Sequence, residues 1–204
     1  MPATLDFFYD LGSPYSYLAS TQLEGICRRT GGSVRTLPIT LGGVRKQLGT
    51  QIPPAAQLQY MSGDVARWAA RYGVPMTIPS AFPTSTIKAL RACAAAALES
   101  PPQGDRAMHA LFRIYWAEGQ DIGDLKIIES ALSGAGLDGA RLVQRCGEED
   151  VKEQLHKNTA LALDRGVFGV PMMFVGERSF WGNDRLEFAE AALREAVRDE
   201  REGR

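Results

Sequence analysis

Strand-like patterning is confined to the two ends of this chain, residues 4–9 and 33–38 at one and "PMMFVGERSFW" (171–181) at the other, with irregular and then helical patterning between them. At the first end, Tyr15 to Arg29 has helical spacing, with Leu18, Leu23 and Ile26 on its apolar side, and "TGG" stops it at 30–32. A strand, a helix and a strand this close together form a βαβ unit, which implies parallel strands and a right-handed crossover. At the other end two short strands flank a turn at Gly176-Glu177. Asn183-Asp184 is then expected to cap a last helix with Leu186, Phe188, Ala189, Ala192, Leu193 and Val197 facing inward. The charged tail "RDEREGR" reads as disordered.

The middle is different in kind. Residues 39–59, with Gly42-Gly43, Gly49 and Pro53-Pro54, read as irregular. Tyr60, Asp64, Trp68 and Tyr72 then recur at every fourth position up to a "GVP" stop. An alanine-rich helix is expected over Thr84–Glu99, closed by Pro101-Pro102, and Met108, Leu111, Phe112, Tyr115 and Trp116 mark another helix face. Segments 125–132, 139–146 and 148–165 complete a helical block.

With 23 basic and 24 acidic side chains the formal net charge is −1, so no bias toward nucleic acid shows. No apolar run approaches the roughly 20 residues that span a bilayer, and "MPATLDFFYD" is not a secretory leader. Cys27, Cys93 and Cys146 lie far apart in no metal-ligand or redox spacing, so a reduced, cytoplasmic protein is the expectation. His109 and His156 are the two histidines, too few for a multi-histidine zinc site, and no metal is expected. His156 reads as solvated, and Trp68 and Trp116 as core. "GAGLDG" (134–139) has dinucleotide-motif spacing but follows helical rather than strand patterning, so its glycines read as a helix terminator.

The chemistry is concentrated where the first strand meets the first helix, in "DFFYDLGSPYSYLA" (6–19). Pro14 suits the first helical position, which makes Ser13 the cap, with its hydroxyl at the positive end of a helix that has free N–H donors. The βαβ and ββα ends, with a proline just before the third strand, resemble the thioredoxin fold. In that superfamily the proline is cis and faces a CxxC turn; here the four positions are Ser13-Pro14-Tyr15-Ser16. Without those cysteines the turn has no thiol–disulfide exchange of its own.

More specifically, "FFYDLGSPYSYLA", the helical insertion and "GVFGVPMMFVGERSFWGNDRLE" resemble 2-hydroxychromene-2-carboxylate isomerases, relatives of kappa-class glutathione transferases. The resemblance implies that glutathione supplies the missing sulfur and that Ser13 holds its thiolate. It implies a cis Val170-Pro171 bond, with the backbone of Val170 pairing with the cysteinyl unit. Asn183 and Asp184 would take the γ-glutamyl end, and Trp181 and Gly182 would shape the pocket. Near the glycyl end and the substrate, Thr50, Gln51 and Gln57 stand where the family carries other residues. Arg45 or Lys46 would supply a positive charge there, and Ser85 replaces a common asparagine.

The expectation is thus an α/β thioredoxin-like fold with an all-helical insertion, residues 1–40 and 166–204 forming the first part and 41–165 the second. The implied activity is a glutathione-dependent cis–trans isomerisation of a small carboxylated aromatic-catabolism substrate: thiolate addition, ring opening, rotation and elimination. The alternatives are a kappa-like transferase conjugating electrophiles and a non-catalytic glutathione-binding protein. Neither nucleic acid nor membrane is expected as a partner, and a homodimer is compatible with this reading.

Overall fold

The computed structural model of the chain describes residues 3–50 and 54–203. Among these residues one sheet runs in the order β2–β1–β3–β4, built from β1 (Thr4–Tyr9), β2 (Ser33–Pro38), β3 (Met172–Val175) and β4 (Arg178–Trp181). β2 is parallel to β1, whereas β3 is antiparallel to both β1 and β4. The two ends of the chain therefore share one sheet. β1 is central and buried on both faces. Leu5, Phe7 and Tyr9 join one apolar cluster and Phe8 the other, as the alternation of a strand requires.

α1 (Pro14–Thr30) makes the crossover and ends at Gly31, whose φ of 75° is the left-handed conformation of a helix stop. It shares the larger apolar cluster with α9 (Leu186–Arg201), and a Cβ at Gly32 would lie 2.8 Å from Leu193 of α9. On the opposite sheet face, Asp6 accepts two hydrogen bonds of 2.7 Å from Arg35 and one of 2.6 Å from Arg165. The guanidinium of Arg165 also lies 3.9 Å from the centre of the Phe174 ring. These contacts join β1, β2, β3 and the end of the helical segment.

Between β2 and β3 lie α2 (Leu41–Leu48), α3 (Ala55–Tyr72), α4 (Ile87–Glu99), α5 (Pro101–Phe112), α6 (Leu125–Gly134), α7 (Gly139–Arg145) and α8 (Glu149–Asp164). α4 is buried on nearly every side through Ala89, Leu90 and the run from Ala92 to Ala96. Small side chains let α5 approach it so closely that a Cβ on Gly104 would meet that of Ala97 at 2.7 Å. A wide turn over Arg113–Ala117 then carries the buried Tyr115 and Trp116. No helix among the described residues is long and apolar enough to cross a membrane.

Several expectations are corrected. Residues 41–48 form α2 rather than irregular chain, because Val44 packs under β2 in the second apolar cluster. α4 begins at Ile87, not Thr84, since Thr86 turns its hydroxyl toward Asp10. Pro101 and Pro102 not only follow α4 but open α5. Asn183 does not cap the last helix: Asn183–Arg185 is a 3₁₀ turn, and α9 starts from Arg185 without a side-chain cap. Phe188 is 61% exposed instead of inward. The tail is helical through Arg201, and Glu200 accepts the Ala3 N–H at 2.9 Å.

Candidate active site

Ser13 is the cap of α1. Its backbone is extended, Pro14 follows at the first helical position, and its Oγ accepts the Ser16 N–H at 3.2 Å. The same hydroxyl donates to the carbonyl of Val170 at 3.3 Å. Val170 precedes a cis bond to Pro171, and the Pro171 carbonyl accepts the Gly182 N–H at 3.0 Å. The first turn of α1, the Val170-Pro171 loop and the turn after β4 therefore meet.

The loop before Ser13 is held by Asp10, a buried residue. Its Oδ1 accepts from Gly12 N–H and Thr86 Oγ1, both at 2.9 Å, and its Oδ2 from Leu41 N–H at 2.8 Å. Burial raises the Asp10 carboxyl above its ordinary range; the hydrogen bonds from Gly12, Leu41 and Thr86 and the positive charge of Arg45 act the other way. Trp116 completes the support, its indole N–H donating to the Leu11 carbonyl at 2.8 Å.

On the other side, Gly182 has a φ of +98°, which favours glycine, and turns the chain into Asn183 and Asp184. Asn183 is buried and Asp184 exposed, the latter paired with Arg185 at 2.6 Å. Tyr72, from the end of α3, donates its hydroxyl to the Asn183 carbonyl at 3.1 Å. Trp181 is 54% exposed and meets Phe168, 50% exposed, edge to face with 4.9 Å between ring centres. These rings flank the loop that carries Val170.

The other sequence candidates are more scattered. Arg45 is half-buried in α2, close enough to Asp10 to act on its charge. Ser85 is exposed beside Thr86, whose methyl group would lie 3.3 Å from a Cβ on Gly12. Lys46, Thr50 and Gln57 are exposed, and no hydrogen bond or ion pair among the described residues joins them to Ser13 or Val170. Gln51 lies outside the described residues. Sequence reasoning did not single out Asp10, Tyr72, Thr86 or Phe168. Of these, Asp10 had a local signal: "DLG" is an Asx turn in which a carboxylate accepts an N–H two residues on.

Chemically the arrangement favours an anion. A hydroxyl donor stands at a helix N-terminus, which favours negative charge. The chain's own thiols are poor candidates, since burial pushes Cys93 up to about 12 and Cys146 up to about 11. Among the described residues the Ser13 hydroxyl bonds to Val170 and Ser16 and to neither histidine, so no histidine is placed as its base. Glutathione fits these residues. Among the described residues the Val170 N–H donates to no acceptor, leaving it open to a peptide carbonyl, and the Ser13 hydroxyl, which accepts from Ser16 N–H, donates only one long bond.

Comparison with known proteins converges on one group. A family model described as a DSBA-like thioredoxin domain matches residues 4–194. The chain is 34% identical to 2-hydroxychromene-2-carboxylate isomerase of Sphingobium xenophagum over 197 residues, covering 95% of this chain and 99% of the relative. It is 30% identical to glutathione S-transferase kappa 1 of Rattus norvegicus, covering 91% of this chain and 88% of the relative. A solved structure of 2-hydroxychromene-2-carboxylate isomerase superposes with a TM-score of 0.87 at 28% identity, covering 98% of this chain and 99% of that one.

Proposed function

The chain belongs to the 2-hydroxychromene-2-carboxylate isomerase family of DSBA-like thioredoxin domains, and from that premise we propose that it is a glutathione-dependent isomerase of a small carboxylated aromatic-catabolism substrate. The observation that carries the reading is the Ser13 hydroxyl at the N-terminus of α1, 3.3 Å from the Val170 carbonyl, in a site whose own cysteines are absent. A relative named a glutathione S-transferase adds support for the cofactor. When bound, glutathione supplies a thiolate that can add reversibly to a conjugated double bond, allowing rotation before elimination.

The work of the protein is to hold and orient. Ser13 would donate its hydroxyl to the sulfur in place of Val170, and a hydrogen bond to a charged group is worth about 1.5–3 kcal/mol against about 1 kcal/mol for a neutral one. The difference, about 0.5–2 kcal/mol, would lower a thiol pKa by about 0.4–1.5 units at about 1.36 kcal/mol per unit. The N-terminus of α1 acts in the same direction. Val170 offers its N–H and C=O to the cysteinyl backbone as a short added strand. Asn183 and Asp184 take the γ-glutamyl end, where the carboxylate of Asp184 suits an ammonium and the free N–H groups of the turn suit a carboxylate. Trp181 and Gly182 shape the wall beside them, while Arg45 contributes positive charge near the substrate's carboxylate.

The kappa-class relative makes conjugation the rival reading. The two separate on one count. Purified protein with glutathione and 2-hydroxychromene-2-carboxylate is followed by absorbance, and free thiol is counted after many turnovers. Product forming with glutathione undiminished supports the isomerase; one thiol lost per product supports a transferase. Absence of turnover with tight glutathione binding would point to a binding protein.

A further inference from the structure

α3 is 18 residues long, yet the side chains it buries fully are only Val65 and Ala69. Two buried aliphatic side chains are little to hold an exposed helix in place. Trp68 and Tyr72 add partly buried packing against the core, and two polar ties run along the same stripe, Tyr60–Asp64–Trp68–Tyr72. Asp64 accepts the Tyr15 hydroxyl at 2.9 Å, and Tyr15 lies in the first turn of α1, two residues after Ser13. Two turns further along, Tyr72 donates to the Asn183 carbonyl at 3.1 Å and stands 3.5 Å from the Asn183 amide nitrogen.

Residues 64 and 72 of one helix are about 12 Å apart at about 1.5 Å per residue. α3 thus touches both the first turn of α1, which follows the Ser13 cap, and the turn proposed to take the γ-glutamyl end. At the second of these, Tyr72 is the tie to α3. The Asn183–Arg185 turn has no side-chain cap, and its other bonds are Gly182 N–H to Pro171, a 3.3 Å bond from Arg185 N–H to Gly182, Leu186 N–H to the Asn183 carbonyl and the local Asp184–Arg185 pair. Tyr72 itself is well placed to fix it. Its ring packs on Trp68 at 5.4 Å between centres, and Gly73 ends the helix immediately after it. A pocket of about 170 Å³ opens at this junction, lined by Gln22, Trp68, Arg71, Tyr72 and Asp184 among others.

We propose that Tyr72 is a positioning residue that, through its hydroxyl on Asn183, holds the Asn183–Asp184 turn in register for the γ-glutamyl end of glutathione and so selects glutathione over shorter thiols. This rests on the reading that the same turn receives the γ-glutamyl group. Removing the hydroxyl leaves the ring, Trp68 and the helix stop in place. The turn then loses its tie to α3 without losing any group that touches the thiol.

Calorimetric titration of the full chain with glutathione and with cysteinylglycine, which lacks the γ-glutamyl unit, tests this. The wild type is expected to bind glutathione at least tenfold more tightly. Tyr72→Phe should lose about fivefold for glutathione and less than about twofold for cysteinylglycine, about 0.5–1 kcal/mol of selective loss. Tyr15→Phe, which frees the other end of α3, should alter both thiols by equal factors. Equal weakening of both thiols by Tyr72→Phe, or no weakening, overturns the assignment while the glutathione reading stands. So does a glutathione-selective loss of the same size in Tyr15→Phe, which would place the effect in α3 as a whole. A wild type that does not distinguish the two thiols refutes the γ-glutamyl reading and this inference with it.

Discussion

Ser13 donates its hydroxyl to the carbonyl of Val170 at 3.3 Å although 157 residues separate them in sequence. The bond joins the first turn of α1 to the cis-proline loop before β3. It is long for an O–H donor, whose usual range is about 2.5–3.0 Å. Exchanging it for a charged acceptor therefore gives up little.

Ser13→Ala should separate binding from ionisation. The helix survives, because Pro14 still opens it and a lost cap costs about 1 kcal/mol. Glutathione should still bind in part through Val170 and the Asn183–Asp184 turn. The pKa of the bound thiol, read from thiolate absorbance against pH, should rise by about 0.4–1.5 units. An unchanged titration with unchanged turnover would reduce Ser13 to a helix cap.

Ser16, the last residue of the same turn, should behave in the opposite way. It is fully buried and its hydroxyl has no partner among the described residues. An unsatisfied buried hydroxyl costs about 1–3 kcal/mol, so Ser16→Ala should be neutral or stabilising by about 1 kcal/mol. The denaturant midpoint checks this, and a clear loss of stability would mean that the hydroxyl is bonded in solution.

The difference between these serines shows what a sequence carries. Ser13 was legible because its role is local: a cap followed by proline is written in adjacent residues. The sheet was legible because strands alternate or run apolar over short stretches, and the family resemblance supplied the cis Val170-Pro171 loop. Tertiary effects were not legible. Gly42-Gly43 reads as a breaker, yet α2 forms because Val44 is buried, and Gly43 is suited there since a Cβ would meet Thr40 Oγ1 at 2.5 Å. Asn183 looks like a cap, but its turn is set by Gly182 and Tyr72, the latter 111 residues away. Phe188 was placed inward on hydrophobicity alone; it lies about 200° round the helix from the buried Leu186 at about 3.6 residues per turn, and so faces solvent.

Glu190 ties α9 to α1 and should do so in a pH-dependent way. It accepts two hydrogen bonds from Arg29, at 2.9 and 2.7 Å, and one from Arg194 at 2.8 Å. The bonds from Arg29 are the main reason its carboxyl lies below the ordinary range. A lowered folded pKa gives stability that is present above the unfolded value of about 4.3 and is lost as pH falls through the folded value. Because Arg29 is more than half exposed, the contribution is screened to about 0.5–1 kcal/mol. Glu190→Gln should be less stable by that amount at pH about 7, with the gap closing in acid and shrinking at high salt. A gap that persists unchanged into acid would show that packing, not charge, is responsible.

Asp10 should contribute with the opposite sign. Burial holds its carboxyl above the ordinary range despite three hydrogen bonds and the nearby Arg45. Between the unfolded value of about 3.9 and the raised folded value, the folded chain binds the extra proton, so stability from this group falls as pH rises and levels off above the folded value. Asp10→Asn removes the titration. It also turns an amide N–H₂ toward either Gly12 or Leu41, whose N–H groups both need an acceptor. The lost bond costs about 1–3 kcal/mol at every pH. Wild type should therefore be the more stable protein, by a margin that narrows as pH rises through the window. The same charge opposes an anion at Ser13, whose N–H is bonded to the Asp10 carbonyl at 3.0 Å, and Arg45 offsets it. Arg45→Gln should then raise the pKa of bound glutathione while leaving the Ser13 hydroxyl in place. Unfolding midpoints of wild type and Asp10→Asn across pH about 4 to 7 decide the first claim: a margin flat with pH would mean that Asp10 is ionised throughout, and the buried carboxyl would be only a structural clamp.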